Sequence, residues 1–393
     1  MFRNNLKDNC LQLTYSYIAM FNNFLKSLVN LIKFTRNNKK KEFVFYSESK
    51  FYRDYYISLI LELKRLGQKN ITLVTSDIDD VDFFKNTLTC YYIKNFFILS
   101  IFFKILNCKF LILTLTDLGE HLQKSKLCKF YVYFFHALAS SQKIYTKTAF
   151  KNYDIILSNG KYQSEELRSA EKQFSFPKKE IVDTGYFFLD SIRNKANFRL
   201  KEKKHILFAP SWNYNKNNLF DDYSIDIIKN LLSSGFKLTL RPHPEHYKRS
   251  NQVLKKITNI FLNNKNFILD KNISNLNSLE KSEILITDSS SIVFEFMFIF
   301  KRPIIYIEYK DKVHNIDFKK KSISSIDEEF KDTFGNKINI NDISNLSNLC
   351  EKLIVQNGLS SQSVNLFEKK YLSNLGNSSK FAANYLVKKL KSI

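Results

Sequence analysis

Glycine is scarce, with eight residues in 393, and none is arranged as a Gly-rich Walker or Rossmann phosphate loop. Redox chemistry on a cofactor held by such a loop is therefore not expected, and no cofactor is assigned. A Gly-x-Ser-x-Gly elbow is absent too, which removes support for a Ser-His-Asp hydrolase. The five cysteines, Cys10, Cys90, Cys108, Cys128 and Cys350, are odd in number, dispersed and without metal-ligand spacing. They form neither a disulfide framework nor a metal site, and they suit buried thiols in a reducing compartment. The N-terminus lacks a compact apolar core followed by a small-residue cleavage site, so secretion is not expected and the chain reads as cytoplasmic.

Arginine is sparse in another sense, supplying ten of the 61 basic residues behind a formal charge of +23. The lysine excess, with similar excesses of asparagine, isoleucine and phenylalanine, fits AT-rich coding and discounts much of that charge. What remains favours anionic partners such as acidic lipid, phosphorylated polymer or nucleotide. Nucleic acid is not expected, because no recognition module is legible and the aromatic residues sit in core-like runs.

Residues 1–40 form an amphipathic helical segment. Tyr17, Phe21, Leu25, Leu28 and Ile32 recur at helical spacing, and Arg36, Lys39, Lys40 and Lys41 follow. The stripe suits either an anionic membrane surface or the protein's own body. The apolar run Phe96–Thr116 carries Lys104 and Lys109 at its centre, so it reads as a helix ending near Leu106 followed by a buried strand Phe110–Leu115, not as a membrane span.

From Glu42 onward short β-rich runs alternate with amphipathic stretches: Phe43–Tyr46, Ile71–Thr75, Phe110–Leu115, Phe130–Phe135, Asp154–Leu157 and Ile181–Thr184. The polar stretch Arg193–Lys204 interrupts this series. A second follows with Ile206–Ala209, Lys237–Leu240, Phe267–Leu269, Ile284–Thr287 and Pro303–Ile307. Such alternation implies two doubly wound α/β domains, 41–192 and 193–365, facing a central cleft, with a C-terminal helix in 366–393 packing back.

Ligands of open α/β sheets sit beyond the carboxyl ends of the strands, and polar residues cluster there. His136 ends one run and suits a general base or a hydrogen-bonded histidine in a crowded strand end. Pro210 and Ser211 follow Ile206–Ala209. Arg241 and His243 stand among prolines after Lys237–Leu240, and Asp288, Ser289, Ser290 and Ser291 join Ile284–Thr287 to a helical segment. Hydroxyls and free N–H groups at a helix start suit a phosphate, although serine there also caps the helix. His121, His205, His246 and His314 have no comparable context and read as surface or packing residues.

The Ile284–Tyr306 segment, ILITDSSSIVFEFMFIFKRPIIY, together with RPHP at Arg241–Pro244, resembles the CDP-glycerol glycerophosphotransferases that build teichoic-acid-like polymers. APSW at Ala209–Trp212, TGYFFLD at Thr184–Asp190 and the stretch Phe135–Gly160 extend the likeness from about Glu42 to the region of Phe318. A departure is Ala137, where well-known members carry glycine after the first histidine.

The resemblance implies a GT-B-like fold and metal-independent transfer of a polyol phosphate, glycerol phosphate first, from a CDP-linked donor. It implies a polymer or lipid-linked hydroxyl acceptor, release of CMP, and a place at the inner face of the cell membrane. It further implies His136 as the base and His243 as the second catalytic histidine. Arg241, Ser289, Ser290 and Ser291 would then sit on the donor phosphates, and Asp288, Glu295, Pro210 and Ser211 at the nucleotide or its loop. The alternative is a GT-B nucleotide-sugar glycosyltransferase of capsule or lipopolysaccharide synthesis.

Overall fold

Each apolar run became a strand, the central ones buried on both faces, as parallel sheets covered by helices require. The structure is a computed structural model describing residues 2–37, 39–116, 118–120, 122–213, 218–310, 315, 325–356 and 359–393, with side chains from residue 18 onward. The first sheet contains β1 (Phe43–Ser47), β2 (Ile71–Thr75), β3 (Thr89–Tyr92), β4 (Cys108–Leu113), β5 (Cys128–Phe134), β6 (Ile155–Ser158) and β7 (Glu180–Asp183). Its order is β3-β2-β1-β4-β5-β6-β7, with every pair parallel.

The second sheet contains β8 (His205–Phe208), β9 (Lys237–Leu240), β10 (Phe267–Leu269), β11 (Ile284–Thr287), β12 (Ile304–Glu308) and β13 (Gly335–Asn339). It runs β10-β9-β8-β11-β12-β13, also all parallel. Strand order reverses beside β1 in one sheet and beside β8 in the other, and a crevice opens at the carboxyl ends at such a point. The architecture is two doubly wound α/β domains facing a cleft, GT-B-like in plan.

Aromatic stacking fixes the first sheet's centre: Phe110 of β4 is fully buried, with its ring 5.3 Å from Phe43 of β1. A separate cluster ties the domains together, combining Leu138, Tyr186 and Leu189 from the first with Leu207, Phe294 and Phe367. Hydrogen bonds cross as well, from Ser140 N to Asp327 (2.8 Å) and from the Asn315 side chain to Gln142 O (2.7 Å).

The chain crosses between the domains at Arg193–Lys204 and returns after the helix Ser361–Tyr371, within which the boundary read at 366 falls. Two close approaches seat the returning segment. A Cβ on Gly160 would lie 1.9 Å from Tyr371 O, and one on Gly185, whose φ is +92°, would lie 2.2 Å from Ser373 O. Asp190 then accepts hydrogen bonds from Gly376 N (2.8 Å), Ser378 N (2.9 Å) and Ser378 Oγ (2.5 Å). The last helix, Ser378–Lys391, lies on the helix Arg53–Arg65.

The first helix, Phe2–Arg36, corrects the stripe read from sequence. Its packed side is Ser27, Leu31 and Phe34, with Phe24 and Leu28 partly buried against the same core. Phe21, Leu25 and Ile32 are exposed, and the side chain of Tyr17 lies outside the described residues. Ser27 Oγ accepts from Lys94 N and Asn95 N, and Phe34 meets Phe102 edge-on at 5.1 Å, so the helix lies beside Phe96–Ile105. That second helix ends and Cys108–Leu113 begins as a buried strand, and among the described residues no helix is long and apolar enough to cross a membrane.

Candidate active site

The loop after β8 and the loop after β11 are locked to each other by one carboxylate. Asp288 accepts from Ser211 N and from Ser211 Oγ, both at 2.7 Å, and Thr287 Oγ1 donates to Ala209 O at 2.7 Å. Asp288 therefore shapes the loop and brings Pro210 and Ser211 beside the serine run. The serines themselves are half-buried, and no hydroxyl of Ser289, Ser290 or Ser291 makes a hydrogen bond among the described residues. Ser291 stands at the N-cap position with no side-chain cap, so capping does not occupy these groups. The helix they open is one α-turn, Ile292–Glu295, continued by a π-helical turn, Phe296–Phe300.

Arg241 follows β9, but its guanidinium is turned to protein partners. Nη1 donates to Asp270 at 2.5 Å and to Ser274 O at 3.3 Å, while Nη2 donates to Asn272 O and Ile273 O at 3.1 Å. This departs from the sequence reading of a guanidinium presented to phosphate: Arg241 here fixes the loop after β10. Asp270 lies 29 residues away, and nothing in the local sequence announces it.

His243 caps the short helix Pro244–Arg249. Its Nδ1 accepts from Glu245 N at 3.2 Å, which leaves the neutral ring carrying its proton on Nε2, a donor. The Trp212 ring lies 5.7 Å away, so the loops after β8 and β9 meet here. His246 is buried and stacked on Phe220 at 4.1 Å, and His205 is buried with Nε2 2.8 Å from Thr239 Oγ1; both are packing residues. His121 and His314 lie outside the described residues.

His136 follows β5 on the opposite domain. Tyr52 and Tyr55 meet its ring edge-on at 5.1 and 6.1 Å, and its Nδ1 is buried without a hydrogen-bond partner among the described residues. Burial pushes the imidazole down to about 4, so it is neutral around pH 7. Glu295 has the opposite shift, its carboxyl pushed up to about 7 by burial, and its Oε2 has no hydrogen-bond partner among the described residues.

A single phenol joins the two sides. Tyr186 Oη lies 2.9 Å from Glu295 Oε1 and 3.3 Å from His136 O. Sequence reasoning passed over Tyr186 and Tyr55. For Tyr186 the available signal was its place just after a strand, but its pairing with a residue 109 positions away is visible only in three dimensions, and Tyr55 lies within the helix Arg53–Arg65. Among the described residues no group of His, Cys, Asp and Glu is placed to hold a metal ion.

Residues 136–321 match the family profile of CDP-glycerol:poly(glycerophosphate) glycerophosphotransferase, a span that opens on His136 and includes Arg241, His243 and the serine run. A teichoic acid poly(glycerol phosphate) polymerase from Bacillus spizizenii is 32% identical over 196 residues, 43% of this chain and 46% of the relative. The match thus spans about half the length of that curated relative. In fold, the wall teichoic acid polymerase TagF superposes with a TM-score of 0.59 at 18% identity, over 95% of this chain and 98% of that one. A UDP-GlcNAc 2-epimerase from Neisseria meningitidis, solved bound to UDP-GlcNAc, superposes at 0.58 with 12% identity over 88% of this chain and 99% of its own. Over residues 136–321, just under half of its length, the chain is thus similar in sequence to the CDP-glycerol:poly(glycerophosphate) glycerophosphotransferase family.

Proposed function

We propose that the protein transfers a polyol phosphate, glycerol phosphate first, from a CDP-linked donor to a hydroxyl of a membrane-associated or surface-glycan acceptor and releases CMP. The observation that carries this reading is the Tyr186 bridge, which holds His136 of one domain within a phenol's reach of the helix opened by the serine run. The bridge reaches the His136 carbonyl at one end, and at the other Glu295 of the helix that the serine hydroxyls, uncommitted among the described residues, open. A TagF variant soaked with CDPG offers the matching donor in a protein of the same fold.

In this mechanism the acceptor hydroxyl gives its proton to His136 as its oxygen attacks the distal phosphorus, and the bond to the CMP oxygen breaks in line. Nε2–H of His243 and the hydroxyls of Ser289, Ser290 and Ser291 take the charge that builds on the phosphate oxygens. Asp288, Pro210 and Ser211 set the loop beneath the nucleotide, and Arg241 holds the neighbouring loop through Asp270. Glu295 is a positioning residue, acting through Tyr186.

Incubation with CDP-glycerol, CDP-ribitol and UDP-sugars, with a soluble acceptor, tests the reading. CMP is expected from CDP-glycerol, with the rate falling at least about 10²-fold in His136→Gln, as for loss of a general base. Release of UDP alone would move the protein to the glycosyltransferase alternative.

The same proposal puts the protein at the inner membrane face. On the first helix Ile18, Phe21, Leu25, Val29 and Ile32 are exposed, and at 100° per residue they fall within an arc of about 80°. Exposed Lys26, Lys33 and Arg36 lie on the same free side. An apolar stripe flanked by cations suits the interface of an anionic bilayer. Phe21→Glu/Leu25→Glu is expected to abolish sedimentation with vesicles containing phosphatidylglycerol, and unchanged sedimentation would remove the membrane placement.

A further inference from the structure

The amino ends of the first sheet, on the side away from His136, form a groove of about 1090 Å³. Six lysines line it: Lys39, Lys40, Lys41, Lys109, Lys126 and Lys129. The fold sets their spacing. Cys108 pairs with Cys128, so Lys109 and Lys129 stand on neighbouring strands roughly 4.8 Å apart, and Lys109 N donates to the carbonyl of Lys41, just ahead of β1. Lys126 precedes β5, and Lys39 and Lys40 precede β1.

The protein does little to neutralise this charge. None of the six lysines is in an ion pair among the described residues. Lys41 Nζ donates to Asn37 O at 2.8 Å and lies over the Phe34 ring, which leaves its charge uncompensated. Glu42 is the one carboxylate among the lining residues, and it accepts from Asn70 Nδ2 at 3.0 Å. The neighbouring strands lie within one Debye length, about 8 Å at physiological salt, so repulsion between the lysines they carry favours a bound anion.

The rim narrows the identity of that anion. The end of the first helix lines the groove through Phe34 and Thr35, and at the groove's edge Leu127 is 61% exposed and Ile105 41% exposed. A hydrophilic phosphodiester chain would leave these side chains in water. An amphiphile covers them while its phosphate takes the lysines. We propose that this groove is a binding site for the phosphodiester headgroup of an anionic phospholipid, with the acyl ends lying toward Ile105 and Leu127. The site rests on the membrane placement argued above and gives it a specific contact, separate from the cleft where transfer is proposed.

Titration of the full chain with dihexanoyl-phosphatidylglycerol below its micelle concentration tests the site. Saturable binding is expected, with dihexanoyl-phosphatidylcholine binding at least tenfold more weakly. Lys109→Gln/Lys126→Gln/Lys129→Gln should weaken the anionic lipid at least tenfold while thermal unfolding stays unchanged, because all three residues are exposed. The control Lys255→Gln/Lys256→Gln, on an exposed helix face of the other domain, should bind as the parent does. Absence of saturable binding, equal weakening by the control, or an unaffected triple variant would overturn the site. Binding of soluble poly(glycerol phosphate) without binding of the lipid would overturn it in favour of a polymer groove. The outcomes separate from those of the earlier proposals: Phe21→Glu/Leu25→Glu reports on membrane placement, and turnover of a soluble donor by the triple variant reports on the cleft.

Discussion

At the scale of single residues, His136 and Glu295 are perturbed in opposite directions by the same cause, burial between the domains. Glu295 holds its proton more tightly folded than unfolded, so stability it contributes at low pH is lost as pH rises from about 4.5 to about 7. His136 runs the other way: the unfolded chain takes the proton more readily, and stability grows as pH rises from about 4 to about 6.5. The two slopes oppose each other across most of that window. Each variant alone should therefore unmask the other. Urea unfolding of Glu295→Gln is expected to show stability rising with pH from 4 to 6.5, and His136→Gln the reverse, by up to about 3.5 kcal/mol at about 1.4 kcal/mol per pKa unit. Parallel pH profiles for the two variants would contradict the placement of either group.

Among elements, the loops after β8 and β11 depend on one carboxylate, and Asp288→Ala leaves Ser211 N and Oγ without their acceptor. A loss of about 1.5–3 kcal/mol is expected in urea unfolding, as for hydrogen bonds to a charged group. Gly160→Ala drives a methyl into Tyr371 O, a backbone atom that cannot turn aside, and should cost about 1–3 kcal/mol in the same assay.

The elements most legible in the sequence are the central ones. Ile284–Thr287 and Lys237–Leu240 emerge with the bounds read for them, since a strand covered on both faces must be apolar along its length. Thr89–Tyr92 and Gly335–Asn339 were missed because they are edge strands. Their outer residues meet water, and Gly335, Asn336 and Lys337 read as a loop. The site was legible as positions and illegible as contacts: Ser211 and Asp288 were each singled out, but their bond spans 77 residues and no local pattern encodes it. For Arg241, local context suggested an anion partner where the fold supplies Asp270.

For the whole molecule, the first helix serves two faces at once. Its inner side covers Phe102 and Tyr91, which meet Phe34 at 5.1 and 5.3 Å, so deleting residues 1–36 would bare an aromatic core as well as remove the outer stripe. The truncated protein is expected to bind a hydrophobic dye and to unfold at lower temperature than the full chain, whereas Phe21→Glu/Leu25→Glu should leave both unchanged. A truncated protein as stable as the parent would show that the helix does not cover this core.

The two crossings between the domains meet at one short helix, Phe187–Arg193. Asp190 grips the returning segment, and Arg193, where the outgoing segment starts, pairs with Glu368. Both connections therefore leave the first domain within a few residues of each other, like two pins set on one axis. Rotation about that axis leaves both nearly unstretched, but sliding one domain along the other would have to lengthen them together. The molecule is consequently framed to swing open and shut, not to shear. The Tyr186–Glu295 bond starts one residue before that same helix and so stays beside the pivot.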